Sequence, residues 1–378
     1  MSDDSRRPDA GEPGPPPGAH AHARERVGPW RRFRESPFVA PTVLVFILAA
    51  AAGLFAGSYT YNMANPTPRH IPTGVVGAAD TARGRAFVAG MEQALDAGLS
   101  LRPYESRAAA LEAIEQQRIF AVLDNTVERG RGHVTLDVSG ASGQSVAQLL
   151  QQAAPKVGAE TGVPVRVRDV KPLQTGDPRG LAIFYITLAS VVLGFVGAMQ
   201  LLAHAKPLVP VERVLFTLAY SALGAFTIAA VVDWGLGALR LPFAESWAIL
   251  LLTMFTSGMV ATMFSTLFGR WAMLPTWGLM VLLGNPSSGG AVSWPLLPSL
   301  LGTIGRWLPP GASVNAQHTA VYFGGHQHVF PFLVLAVWAL VSTAVFWIWR
   351  HRHPGGRERS AAAGAAESGG TPAPSGGT

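Results

Sequence analysis

The residues best suited to handling a ligand lie in one unusual run. Gly284-Asn285-Pro286-Ser287-Ser288-Gly289-Gly290 is followed by Trp294-Pro295-Leu296-Leu297-Pro298, then by Ile304-Gly305-Arg306-Trp307-Leu308-Pro309-Pro310-Gly311. Gly, Asn, Pro and Ser expose backbone amides and forbid a continued helix. Irregular backbone at membrane depth is tolerated only where protein buries it or a water-filled cavity adjoins it. Residues 298–308 read as a short, mostly apolar helix closed by a Pro-Pro-Gly stop. Two readings follow for 285–311. One is a re-entrant or interfacial element lining the outer mouth of a pathway, through Asn285, Pro286, Ser287, Ser288, Gly289, Gly290, Pro298, Arg306, Pro309 and Pro310. The other is an ordinary outer loop carrying a surface helix.

Other candidates for chemistry are thinner. His318, His326 and His328 precede the last apolar run, and the last two have the spacing to chelate from an extended stretch. No Asp, Glu or Cys stands beside them in sequence, so they read as interfacial histidines. Asp233 and Glu245 flank Arg240 at the ends of apolar runs, where they read as local ion pairs. A proton-coupled carrier wants its carboxylate inside a span. The chain has no cysteine, which removes disulfides, thiolate metal sites and a Cys nucleophile. Its three lysines, Lys156, Lys171 and Lys206, precede Val157, Pro172 and Pro207. A Walker A loop requires Gly-Lys-Ser/Thr, so no P-loop is present. No zincin, nucleophile-elbow or paired-carboxylate pattern occurs. The expectation is a protein without catalytic residues, cofactor or bound metal.

The elements that position these residues are set by charge distribution. Charged residues make up 14% of the chain, against about 25% in a soluble domain. Residues 181–350 hold only Lys206, Glu212, Arg213, Asp233, Arg240, Glu245, Arg270, Arg306 and Arg350. That half belongs in lipid. Five spans are expected there, at 181–202, 214–232, 247–268, 271–283 (the short one) and 329–349. A sixth precedes them at 37–57, an uncleaved anchor rather than a signal peptide, with Gly53 and Gly57 as a small-residue pair for close helix approach. The Arg/Lys bias puts both termini in the cytoplasm. Residues 1–36 form a Pro/Gly-rich and then Arg-rich cytoplasmic segment, and 351–378 a disordered cytoplasmic tail. The Arg cluster at 24–34, interleaved with Trp30 and Phe33, suits either an interfacial helix or a flexible juxtamembrane stretch. The basic pI reflects this flanking charge rather than a nucleic-acid surface.

Residues 65–178 differ in kind. Strands are expected at 71–78, 99–104, 119–124, 133–138 and 163–170, with helices at 81–97, 106–117 (Ser106 as N-cap) and 142–156. The order β-α-β-α-β-β-α-β makes one small α/β domain with its own core. The fold class is therefore an α-helical integral membrane protein, six transmembrane helices with an extracytoplasmic α/β domain between the first and second.

This layout resembles the permease subunits of type-2 ABC exporters, and within them the phage infection protein-like branch of bacterial membrane proteins. The specific likeness lies in Ser288-Gly289-Gly290, Leu297-Pro298 and Leu308-Pro309-Pro310. It implies an exporter component in the cell membrane, a homodimer, driven by a separate cytoplasmic ATPase subunit. The ATPase would meet the loop after the second span, where Lys206, Pro207, Glu212 and Arg213 lie. That loop, 204–213, is short and holds two prolines where such permeases carry a longer charged stretch. A non-transporting scaffold or surface receptor acting through its outer domain is the competing class.

Overall fold

A computed structural model describes residues 37–63, 68–77, 82–125, 133–205 and 207–353. Expectations for the N-terminal Arg-rich segment, for Lys206 and for the tail beyond His353 lie outside the described residues. Contacts group the chain into two compact units, the first ending at Gly53 and the second beginning at Leu54. The boundary falls inside the first helix, α1 (Val39–Met63), which carries no charged residue and extends beyond the expected end at 57. A Cβ added at Gly53 or at Gly57 would meet nothing within 4 Å.

In the second unit, the α/β portion follows the order read from the sequence: β1 (Ile71–Val76), α2 (Ala82–Leu95), β2 (Leu99–Tyr104), α3 (Arg107–Glu115), β3 (Ala121–Asp124), β4 (Val134–Val138), α4 (Gln144–Thr161) and β5 (Val165–Asp169). The sheet order is β2-β1-β3-β4-β5, parallel except where β3 and β4 run antiparallel. Two-sided burial explains why the central strands are apolar: β1, β3 and β4 are buried at every position. Strand β4 alternates polar and apolar residues yet exposes neither face. Asp137, fully buried, is held there by Arg107 Nη2 at 2.7 Å and Arg168 Nε at 3.2 Å, which ties α3 and β5 to the strand between them. Ser106 caps α3, its side chain accepting from Ala109 N–H.

The expected self-contained core is corrected by the structure. On one sheet face, Ile71, Phe87, Met91, Leu136 and Leu150 pack together with Val292, Leu296 and Leu297. On the other, Val76, Ile114 and Val122 pack with Ile183, Leu239, Val314 and Phe323. On both faces the second half of the chain supplies part of the cover.

That second half holds α5 (Ala182–His204), α6 (Pro210–Ala230), α7 (Phe243–Phe268), α8 (Met273–Trp277), α9 (Ser299–Gly305), α10 (Pro309–Tyr322) and α11 (Val329–Arg352). Among the described residues, five helices are long and apolar enough to cross a membrane: α1, α5, α6 with its continuation to Gly235, α7 with its continuation to Trp271, and α11. They mark the chain as a multi-pass α-helical membrane protein. Their outward faces, such as Leu215, Phe216 and Leu223 on α6 and Val337 and Leu340 on α11, are exposed and apolar, as lipid-facing surface must be.

Helix α7 is central and packs against α5, α6, α10 and α11. A lipid solvent offers no hydrophobic drive between helices, so close approach and hydroxyl bonds hold them. A Cβ at Gly194 would stand 2.5 Å from the Met254 carbonyl oxygen. Ser257 Oγ donates to Val191 O at 2.7 Å, and Thr253 Oγ1 to Ser313 Oγ at 2.7 Å.

The short span expected at 271–283 falls below spanning length. Helix α8 runs on as a π-helix over Gly278–Leu283, giving an apolar stretch of Met273–Leu283. At ~1.5 Å per residue it covers about 17 Å, little more than half of a ~30 Å hydrocarbon core. Residues 284–328 follow as turns and short helices. The Pro-Pro-Gly run is also corrected: it ends nothing but begins α10, with prolines in the first helical positions, where the missing N–H costs no bond.

Candidate functional site

The half-length α8 leaves room at the end of the bundle that faces the sheet. A cavity of about 810 Å³ lies there, walled by the start of α4, the broken segment, α9, α10 and the first turn of α11. Each wall has a local cause. The run after α8 folds onto its own carbonyls: Ser287 Oγ donates to Leu283 O at 2.6 Å and Ser288 Oγ to Asn285 O at 2.7 Å. Gly289 takes φ +82°, a conformation that favours glycine, and this turns the chain toward Trp294. Ser293 N–H donates to Ser145 Oγ at 2.9 Å, and Ser145 Oγ donates to Ser293 Oγ at 2.8 Å. The broken segment is thereby pinned to the first turn of α4, whose N-cap is Gly143 with no side-chain cap.

The third wall depends on a helix ending. Helix α3 closes with Arg118 N–H donating to Ala113 O at 2.9 Å and Gln117 N–H to Ile114 O at 2.8 Å, the paired bonds of a Schellman ending. Gln117 takes the left-handed position, φ +55°, where glycine is usual. From there its Nε2 donates to Thr319 Oγ1 on α10 at 2.9 Å.

The charged groups lining the cavity are of one sign. Arg179 and Arg306 line it, and no carboxylate does so among the described residues. Arg306 stacks over the Trp294 ring at 4.4 Å, which supports the cation without consuming its N–H donors. The uncapped start of α4 adds the positive end of a helix dipole. His318 and His328 also face the space. Burial holds the His318 imidazole down to a pKa of about 4, so it is neutral at physiological pH. Phe120, Leu173, Trp307 and Phe330 supply apolar wall. Such a chamber accepts a ligand with an apolar body and an anionic group.

Of the residues singled out in the sequence, Ser287, Ser288, Gly289, Gly290 and Arg306 line the cavity. Asn285 faces the other way, its Nδ2 donating to Tyr59 OH at 2.7 Å. Pro286, Pro298, Pro309 and Pro310 do not line the cavity. His326 lies 3.3 Å from Glu112, which is remote in sequence; the bonds from Gln116 and His326 hold the Glu112 carboxyl below its ordinary range. The ion pairs expected of Asp233 and Glu245 with Arg240 do not form among the described residues: Glu245 accepts from Gln327 Nε2 at 2.8 Å, and Arg240 N–H donates to Gln174 Oε1 at 2.7 Å. At the opposite end, Glu212 caps its own helix, accepting from Val209 N–H at 2.9 Å, next to the turn at Pro207. Arg213 points inward.

Gln117, Gln144, Ser145, Arg179 and Asn315 also line the cavity and were not singled out as site residues. The uncapped Gly143-Gln144 helix start was the one local signal. No family model, curated protein or solved structure matches this chain.

Proposed function

We propose that this chain is the permease-like subunit of an ABC-type exporter, moving an amphipathic, anionic substrate out of the cell. The observation that carries the reading is the cationic chamber where the sheet portion meets the end of a bundle of membrane helices. A half-length helix with irregular backbone beside a cavity is what a pathway mouth requires. The Arg/Lys bias supports a cell-membrane protein with cytoplasmic termini and the sheet portion outside. The open face of α1 around Gly57 supports a homodimer. The chain has no P-loop of its own, so a separate cytoplasmic ATPase supplies the energy, and the reading requires neither catalysis nor a cofactor here.

The test is purification of the intact chain from its native membranes in the presence of ATP. Vanadate-sensitive ATPase activity should co-purify, rise with an apolar organic anion, and lose that rise in Arg306→Gln. A preparation without ATPase activity, or one in which Arg306→Gln responds like the unaltered chain, would overturn the reading. A second reading has one observation in its favour: the α5–α6 connection is short and folded on its own helix ends, leaving an ATPase little surface. A receptor or scaffold that binds its ligand in the same chamber would show ligand binding sensitive to Arg306→Gln and no ATPase at all.

A further inference from the structure

At the end of the bundle away from the sheet, the terminal turns of α5, α6, α7 and α11 enclose a second recess of about 280 Å³. Arg213, Arg350 and His353 line it, and no acidic residue does so among the described residues. Arg213 is only 7% exposed. Its Nη2 donates to Ala205 O at 3.2 Å, while its buried Nη1 has no partner among the described residues. The ion pairs of the described residues, Arg107 and Arg168 with Asp137, Lys171 with Glu115 and His326 with Glu112, all involve residues remote from this recess.

A guanidinium taken out of water with a donor unmet is costly, and a second arginine beside it adds repulsion. The arrangement becomes favourable when an anion enters. A forked guanidinium matches the oxygens of a phosphate group. The rest of the wall suits a phosphate that arrives on a lipid. Leu202, Phe346 and Trp349 line the recess, Trp349 is partly exposed, and the terminal turns of membrane helices sit at headgroup level, with tryptophan as their usual marker.

We infer that this recess is a binding site for a phosphate group, held by Arg213 and Arg350 and carried by an anionic phospholipid or by a soluble ion. The intact chain, purified in detergent, is titrated with dioleoyl-phosphatidylglycerol, with dioleoyl-phosphatidylcholine and with inorganic phosphate, reading Tm and retained adducts by native mass spectrometry. Phosphatidylglycerol should raise Tm and remain as an adduct while phosphatidylcholine does neither. A rise with inorganic phosphate alone assigns the site to the soluble ion. Arg213→Gln and Arg350→Gln should each raise the half-saturating concentration about tenfold, the weight of one charge-assisted hydrogen bond. Arg270→Gln, at the same end but resting on Trp271, should leave it unchanged. If Arg213→Gln fails to fold, Arg350→Gln decides. No response to either probe, or an equal loss in Arg270→Gln, overturns the inference.

Discussion

His318 shows how one side chain ties stability to pH. Its imidazole packs with Tyr322, ring centroids 5.4 Å apart, on the cavity wall. Burial lowers its pKa from 6.5 to about 4. The unfolded chain therefore binds the proton more readily between those values, and stability must fall as pH drops through that window. Above pH 6.5 the contribution is complete; at pH 4 it is largely gone. His318→Gln, which does not titrate, should flatten this part of the Tm–pH profile measured in detergent. Parallel profiles for the two proteins would show that His318 is not responsible. The same residue illustrates what a linear reading misses. Three histidines before the last span are visible, but that His318 and His328 line the chamber while His326 meets Glu112 depends on contacts of long sequence separation.

At the scale of elements, the broken segment depends on one close approach. A Cβ on Gly305, at the end of α9, would collide with the Ser287 carbonyl oxygen. Backbone cannot yield as a flexible side chain does, so Gly305→Ala should cost about 1–3 kcal/mol through overpacking. Part of the damage should appear at the cavity rather than throughout the bundle. Tm and the accessibility of a cysteine placed at Thr303, on the cavity wall, would be compared; unchanged values for both would remove the contact from the account. Here the sequence was legible to different depths. Strands β1 to β5 and the Ser106 cap were readable because alternation and capping are local signals. The start of α10 was not, because Pro-Pro-Gly closes one helix and opens another by the same chemistry. Nor was α10 marked by an apolar stripe: Ser313, Gln317 and Thr319 on it are fully buried, satisfied or stranded according to neighbours on α7 and α3.

For the whole molecule, both faces of the sheet are completed by residues of the second half. Residues 68–178 produced alone should therefore expose the apolar sites that Val292, Leu296, Leu297, Val314 and Phe323 cover, bind a hydrophobic dye and self-associate. A monodisperse, dye-silent fragment would restore the self-contained domain. It follows that deleting this portion cannot separate a receptor role from a pathway role, because the deletion also uncovers the helix ends beneath it. Substitutions inside the chamber are the cleaner instrument. The α-helical membrane character and most elements are readable because charge density and periodicity are properties of short windows. The chamber was half readable: its serines and glycines announce themselves, while Gln117 and Arg179 reach it only through the tertiary path of the chain.

The shared sheet faces also impose an order in time. Arg69 N–H donates to Pro295 O at 3.0 Å, joining two residues synthesised far apart. At roughly 5–20 residues per second, the strands emerge on the order of ten seconds or more before the stretch that covers them. Through that interval the nascent sheet has unfinished apolar faces while α5 to α8 are still to be made. A ribosome paused before residue 292 would leave the strands without their cover, which makes late translation and membrane insertion, rather than strand pairing, the step at which this protein is most open to misassembly.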